Sequence, residues 1–118
     1  MNASRIPEID VHALARKLSS GESFVLLDVR EAWELDHALI VDARTRVVPM
    51  SRLAQLGAAA LPDEMQDKDV EILVMCHHGL RSANATAWLQ EQGWTAVYSV
   101  RGGIAAYARL VDRSVGRY

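Results

Sequence analysis

Three continuous apolar runs punctuate the chain, and spaced apolar positions fill the intervals between them. Phe24 to Arg30 (FVLLDVR), Val70 to Cys76 (VEILVMC) and Thr95 to Val100 (TAVYSV) are the runs. Runs of that length, closed by charge or turn residues, read as strands buried on both faces. A brief fourth strand is expected over Arg46 to Val48, stopped by Pro49. Between them the apolar spacing turns helical. Asp10 can cap a first helix that carries Val11, Leu14 and Leu18 on one face and ends at Ser19-Ser20-Gly21. A short helix should start at Glu31, and an Ala- and Leu-rich one should cover Ser51 to Ala60. Ser82 to Gln92 places Ser82, Ala85, Thr86 and Leu89 on one side, with Gly93 as the stop. Ile104 to Leu110 is the last helix, and the tail from residue 111 to 118 is expected to fray.

Strands alternating with helices predict an α/β domain: a mostly parallel central sheet with helices on both faces. In such a sheet the strands finish at one common edge, where ligands bind. Three loops should meet there, DVRE, CHHGLRS and VRGG. The length of 118 residues fits a single domain over 1–118, with a core of about 6–110.

Composition narrows the function. The formal net charge of -2 offers no global basic field for nucleic acid or an anionic membrane surface. No apolar stretch approaches the ~20 residues of a membrane helix, and charges near the N-terminus break any signal-peptide core. A cytoplasmic protein is the resulting expectation. The single cysteine forbids an internal disulfide and disfavours a cysteine-based zinc site.

That cysteine, Cys76, stands at the hinge between a strand and a helix. Unpaired backbone N–H groups and the positive end of the helix dipole face such a position and favour a thiolate, the nucleophilic form. Gly79 lets the loop turn and bring its amides around one point, an anion nest. Arg81 adds a fixed charge. Only His77, His78, Gly79 and Leu80 separate Cys76 from Arg81. The loops of cysteine phosphatases have five residues in that interval and enclose a four-oxygen anion. The tighter loop here suits a smaller terminal atom, such as a sulfur bonded to the cysteine.

CHHGLRS resembles the active-site loop of the rhodanese family of sulfurtransferases: cysteine, two variable residues, glycine, one variable residue, arginine, serine. LLDVREAWE resembles that family's first strand and acidic helix, and ANATAWLQEQGWTAVYSVRGGIAAYA its helix, strand and double-glycine turn. The resemblance runs from about Ile6 to Leu110. It implies a rhodanese-like fold and a sulfur transfer in which Cys76 takes the outer sulfur of a small anionic donor, thiosulfate or another persulfide. A thiol or a partner protein then accepts the sulfur. It also implies no metal or organic cofactor. Two alternatives stand beside this reading: a persulfide carrier or docking module without free-donor turnover, and a phosphatase-type hydrolase, which the short loop disfavours.

The remaining residues divide by role. Ser82 reads as a helix-cap hydroxyl that steadies the loop, and Arg81 as both anion attractor and brace. His77 and His78 invite a general-base reading, although a preformed thiolate needs no base. Asp28 and Arg30 read as a structural ion pair at the pocket edge, and Arg101 as an edge charge open to a donor or to solvent. Arg44 and Arg46 read as surface charges, and Trp33, Trp88 and Trp94 as packing residues. Leu39 and Ile40 read as surface apolar residues. The stretch from residue 36 to 50 departs from the family pattern, lacking its glycine; Tyr107 replaces a frequent tryptophan.

Overall fold

The computed structural model describes residues 6–118. Five parallel strands form one sheet in the order β1-β5-β4-β2-β3, where β1 is Glu8–Ile9, β2 Val25–Asp28, β3 Thr45–Val47, β4 Ile72–Met75 and β5 Val97–Val100. The alternation of side chains along the strands sorts the core into two layers. On β4, Ile72 and Val74 enter one layer, with Leu27, Leu53, Ala85 and Leu89, while Leu73 and Met75 enter the other, with Leu14, Leu26 and Ile104. The first layer lies under α3 (Met50–Leu56) and α4 (Leu80–Glu91), the second under α1 (Val11–Leu18) and α5 (Gly103–Leu110). A sheet covered on both faces explains why its central strands carry almost no polar positions.

The local chemistry of the elements follows the sequence closely. The Asp10 carboxylate accepts the Ala13 N–H at 2.8 Å, a cap worth about 1 kcal/mol. The buried face of α4 is Ser82, Ala85, Thr86 and Leu89, as its spacing predicts. A four-residue helix, α2 (Ala32–Leu35), follows β2. The strand expected at Arg46 lies one residue earlier, and the Ser51–Ala60 helix is α3 completed by a 3-10 turn over Gly57–Ala60.

Several expectations need correction. The sequence reading missed β1, because two residues give no periodic signal; pairing with β5 creates it. The tail is not frayed. It forms a 3-10 turn at Arg113–Val115, bridges Ala38 through Gly116, and half-buries Tyr118. Trp33 is 61% exposed rather than packed, whereas Trp94 is buried and donates its indole N–H to the Met65 carbonyl at 2.7 Å. Ile40 is buried in the core. Arg44 is no plain surface charge: besides its pair with Asp42, it donates to the Leu18 carbonyl at 2.8 Å and the Glu22 carbonyl at 3.0 Å. It thereby ties the end of α1 to the chain entering β3. Arg46 pairs with Glu64 at the surface. Tyr107, which stands where the family often has tryptophan, is buried at the α5 layer.

Candidate active site

Parallel pairing brings the exits of β2, β4 and β5 to one edge of the sheet. Cys76 leaves β4 there, and Gly79 begins α4 with φ +103°, a left-handed conformation that glycine adopts without a Cβ penalty. This turn folds the loop back so that its amides face the sulfur. The Gly79 N–H donates to Cys76 Sγ at 3.1 Å and the Ser82 N–H at 3.3 Å. Cys76 is 1% exposed, so the sulfur sits at the bottom of the loop rather than on the surface. Ser82 Oγ lies 3.5 Å from the sulfur, donates to the Gly79 carbonyl at 3.2 Å, and meets Ser99 Oγ at 2.8 Å. One hydroxyl thereby links the loop to its helix and to β5.

The exit of β5 braces the loop from below. Ile104 N–H donates to the Cys76 carbonyl at 2.9 Å and Ala105 N–H to the His77 carbonyl at 3.0 Å. Gly103 makes this approach possible. A Cβ added there would overlap the Cys76 and His77 carbonyl groups, lying 2.6 Å from the His77 carbonyl carbon, at a φ of +61°. Gly103→Ala is therefore expected to lower stability by about 2–3 kcal/mol, from strain plus two lost hydrogen bonds. Urea unfolding measures the loss, and thiol alkylation kinetics should change with it. A variant of native stability would mean the backbone contact is slack.

Arg81 points away from a purely substrate-facing role. Its guanidinium makes a two-pronged pair with Glu34, Nη1 to Oε2 and Nη2 to Oε1, both 2.7 Å. Glu34 is buried and accepts two more bonds, from the Tyr118 hydroxyl at 2.8 Å and the Glu31 N–H at 2.9 Å. Four donors saturate its two oxygens. The Arg81 guanidinium, reinforced by the Glu31 amide and the Tyr118 hydroxyl, holds the Glu34 carboxyl down at about 2 against burial. The charge of Arg81 is thus largely spent on the brace between α4 and α2.

Asp28 and Arg30 form the ion pair read from the sequence, at 2.7 Å with both side chains 0% exposed. They lie behind the loop rather than at an open pocket edge, and Arg30 reaches on to the Tyr118 hydroxyl at 3.2 Å. Arg101 is 64% exposed and pairs with Glu8 at 3.1 Å, so it reinforces β1. His77 stacks on Tyr118, with ring centroids 3.8 Å apart and planes at 7°, and its Nε2 lies 3.0 Å from the Tyr118 carbonyl. Burial and the neighbouring His78 push His77 below its ordinary value, against the hydrogen bond its ring makes to the Tyr118 backbone oxygen. His78 stacks on His77 from the exposed side, and Leu80 is 79% exposed at the loop's outer turn. His37, in the divergent stretch, stacks on Tyr118 at 5.5 Å.

Glu34 and Tyr118 were missed by the sequence reading. Glu34 carried one local signal, the Glu31-to-Glu34 spacing of a helix start. Tyr118 carried none. Among the described residues no group of three or more potential metal ligands converges. No helix among them is long and apolar enough to cross a membrane.

An α/β domain with a cysteine seated in amides at a strand-to-helix loop is a known class of protein, and comparison with known proteins identifies its family. The model of the rhodanese-like domain matches residues 10–110, and the chain belongs to that family. A sulfurtransferase of Allochromatium vinosum is 34% identical over 106 residues, covering 88% of this chain and 90% of the relative. A thiosulfate sulfurtransferase of Glaesserella parasuis is 34% identical over 98 residues, covering 75% of this chain and 90% of the relative. The crystal structure of a rhodanese-related protein from Thermoplasma volcanium superposes with a TM-score of 0.70 at 29% identity, over 87% of this chain and 91% of that one. These relatives support a transferase of sulfur, and the fold expectation is met by a sheet that is wholly parallel.

Proposed function

We propose that the chain transfers sulfane sulfur through a persulfide on Cys76. The observation that carries the reading is the pair of amides, from Gly79 and Ser82, aimed at Sγ at 3.1 and 3.3 Å. Both donate to the sulfur that reacts and, with the loop's small span, suit one added sulfur on it. In the first step Sγ attacks the outer sulfur of thiosulfate. The donor's S–S bond breaks, and sulfite leaves with its electron pair. In the second step an acceptor thiolate attacks the outer sulfur, and Cys76 departs as thiolate. Double displacement of this kind gives ping-pong kinetics.

Thiosulfate is the first donor to test because it is named in the function of one relative. Brief incubation with thiosulfate should add one sulfur atom to the intact mass, and cyanide should remove it as thiocyanate. A protein that loads from a persulfide but not from thiosulfate would be a carrier rather than a thiosulfate enzyme. No loading from either donor would reject sulfur transfer and leave a docking module.

A further inference from the structure

A cavity of about 560 Å³ opens between α5 and the C-terminal segment, one residue away from the nucleophile. Ile104, Ala105 and Ala108 give it an apolar lining, and His77 and Tyr118 line it too. Its size lies in the range of built binding sites. Its position is fixed by the loop itself, since the Ile104 and Ala105 amides hold the Cys76 and His77 carbonyls. Whatever occupies this cavity lies against the wall of the sulfur-bearing loop.

The cavity also carries charge. Arg109, Arg113 and Arg117 line it, four residues apart along the chain, and all three are exposed. Among the described residues none of them pairs with a carboxylate, unlike Arg30, Arg44, Arg46, Arg81 and Arg101. The neighbouring Asp112 is turned to the Ser114 amide and hydroxyl, at 2.9 and 2.6 Å. The helix dipole accounts for Arg109, in the last turn of α5, but not for the two arginines beyond it. In a chain of net charge -2, three unpaired cations around one apolar cavity form a local positive field.

We propose that this cavity is the docking site for an acidic segment of the protein that accepts sulfur from Cys76, a deepening that rests on the sulfur-transfer reading. Three separate cations call for several anionic groups spread along a chain. Thiosulfate, with its charge on one small group, answers only one of them. Carboxylates of an extended segment reach the three guanidiniums while its apolar side chains meet Ile104 and Ala108. The acceptor thiol then approaches past His77 and attacks the outer persulfide sulfur. The S–S bond to Sγ breaks, and Cys76 leaves as thiolate. No oxidant or reductant is consumed.

The probe is a fluorescein-labelled peptide of six glutamates ending in Gly-Cys, compared with its all-glutamine counterpart. Anisotropy reads binding at low and high salt, and intact mass reads sulfur passed from loaded protein to peptide. The acidic peptide should bind and accept sulfur about tenfold better than the glutamine one, with the advantage shrinking in salt. The triple variant Arg109→Ala, Arg113→Ala, Arg117→Ala should lose that advantage and still load from thiosulfate at the native rate. The control pair Arg16→Ala, Arg52→Ala, elsewhere on the surface, should keep it. Equal behaviour of the two peptides, or equal loss in the control pair, overturns the docking site while loading preserves sulfur transfer. Acidic-peptide binding that depends on the three arginines in a protein that no donor loads keeps the surface and rejects the sulfur-transfer reading instead.

Discussion

Cys76→Ser should form no sulfur adduct with thiosulfate and should lower thiocyanate production by about 10³-fold or more. The substitution exchanges one atom, so the Gly79 and Ser82 amides keep an acceptor and the loop keeps its fold. What changes is chemistry. A serine hydroxyl stays protonated near neutrality, and an alkoxide is not available to attack sulfur. No base compensates, since the His77 Nε2 is engaged with the Tyr118 carbonyl and the ring is stacked between Tyr118 and His78. The thermal midpoint should stay within a few degrees of wild type. A variant that still gains one sulfur atom would place the nucleophile elsewhere and remove the basis of the mechanism.

Glu34→Ala should give the largest loss of stability at the site, about 3 kcal/mol. It strips three groups, four donors in all, of their acceptor at once: the Arg81 guanidinium, the Tyr118 hydroxyl and the Glu31 amide. Breaking a buried pair from one side costs ~3–5 kcal/mol, and Arg81, with 35% of its side chain exposed, recovers part of this by turning to water. For a domain of this size the loss is roughly a 10 °C fall in thermal midpoint. Sulfur loading should slow as well, because Arg81 sits in the first turn of α4, beside the amide that holds the sulfur.

The same substitution makes a pH test with a definite sign. Glu34 is held at about 2 in the folded chain against an ordinary 4.5. A depressed carboxyl contributes its full stabilisation above about pH 4.5 and loses it as pH falls toward 2. The difference in unfolding free energy between wild type and Glu34→Ala should therefore be largest near pH 7 and shrink through that acid window. His77 acts in the same direction at higher pH: its folded form favours the neutral ring, so acidification below the ordinary histidine range loosens its stack on Tyr118. A difference that stays constant from pH 7 to pH 2.5 would show that the ionised Glu34 is not the brace.

Four of the five strands and the α-helices were legible because their signals are local. Phe24 to Arg30 and Val70 to Cys76 are continuous apolar runs, and a sheet with two covered faces demands them. The thiol's setting was legible for the same reason: a strand exit, a glycine and a helix start lie within seven residues, CHHGLRS. Even so, α4 begins at Leu80 rather than Ser82, since the positive φ of Gly79 sets the boundary ahead of the apolar pattern. Trp33 misled because an aromatic at helical spacing reads as core. On a four-residue helix it lies outside, edge-on to Tyr118.

The chain by itself determined the layer order, the parallel edge and the thiol seated at a helix start, because hydrophobic period and turn chemistry act over a few residues. The folded structure alone decided what holds that thiol's loop in place. Glu34 meets Arg81 across 47 positions and Tyr118 across 84, and Tyr118 meets His77 across 41. An ion pair or ring stack between such distant residues leaves no periodic trace. It exists only once the sheet has closed and the C-terminal segment has returned to the edge where the strands end.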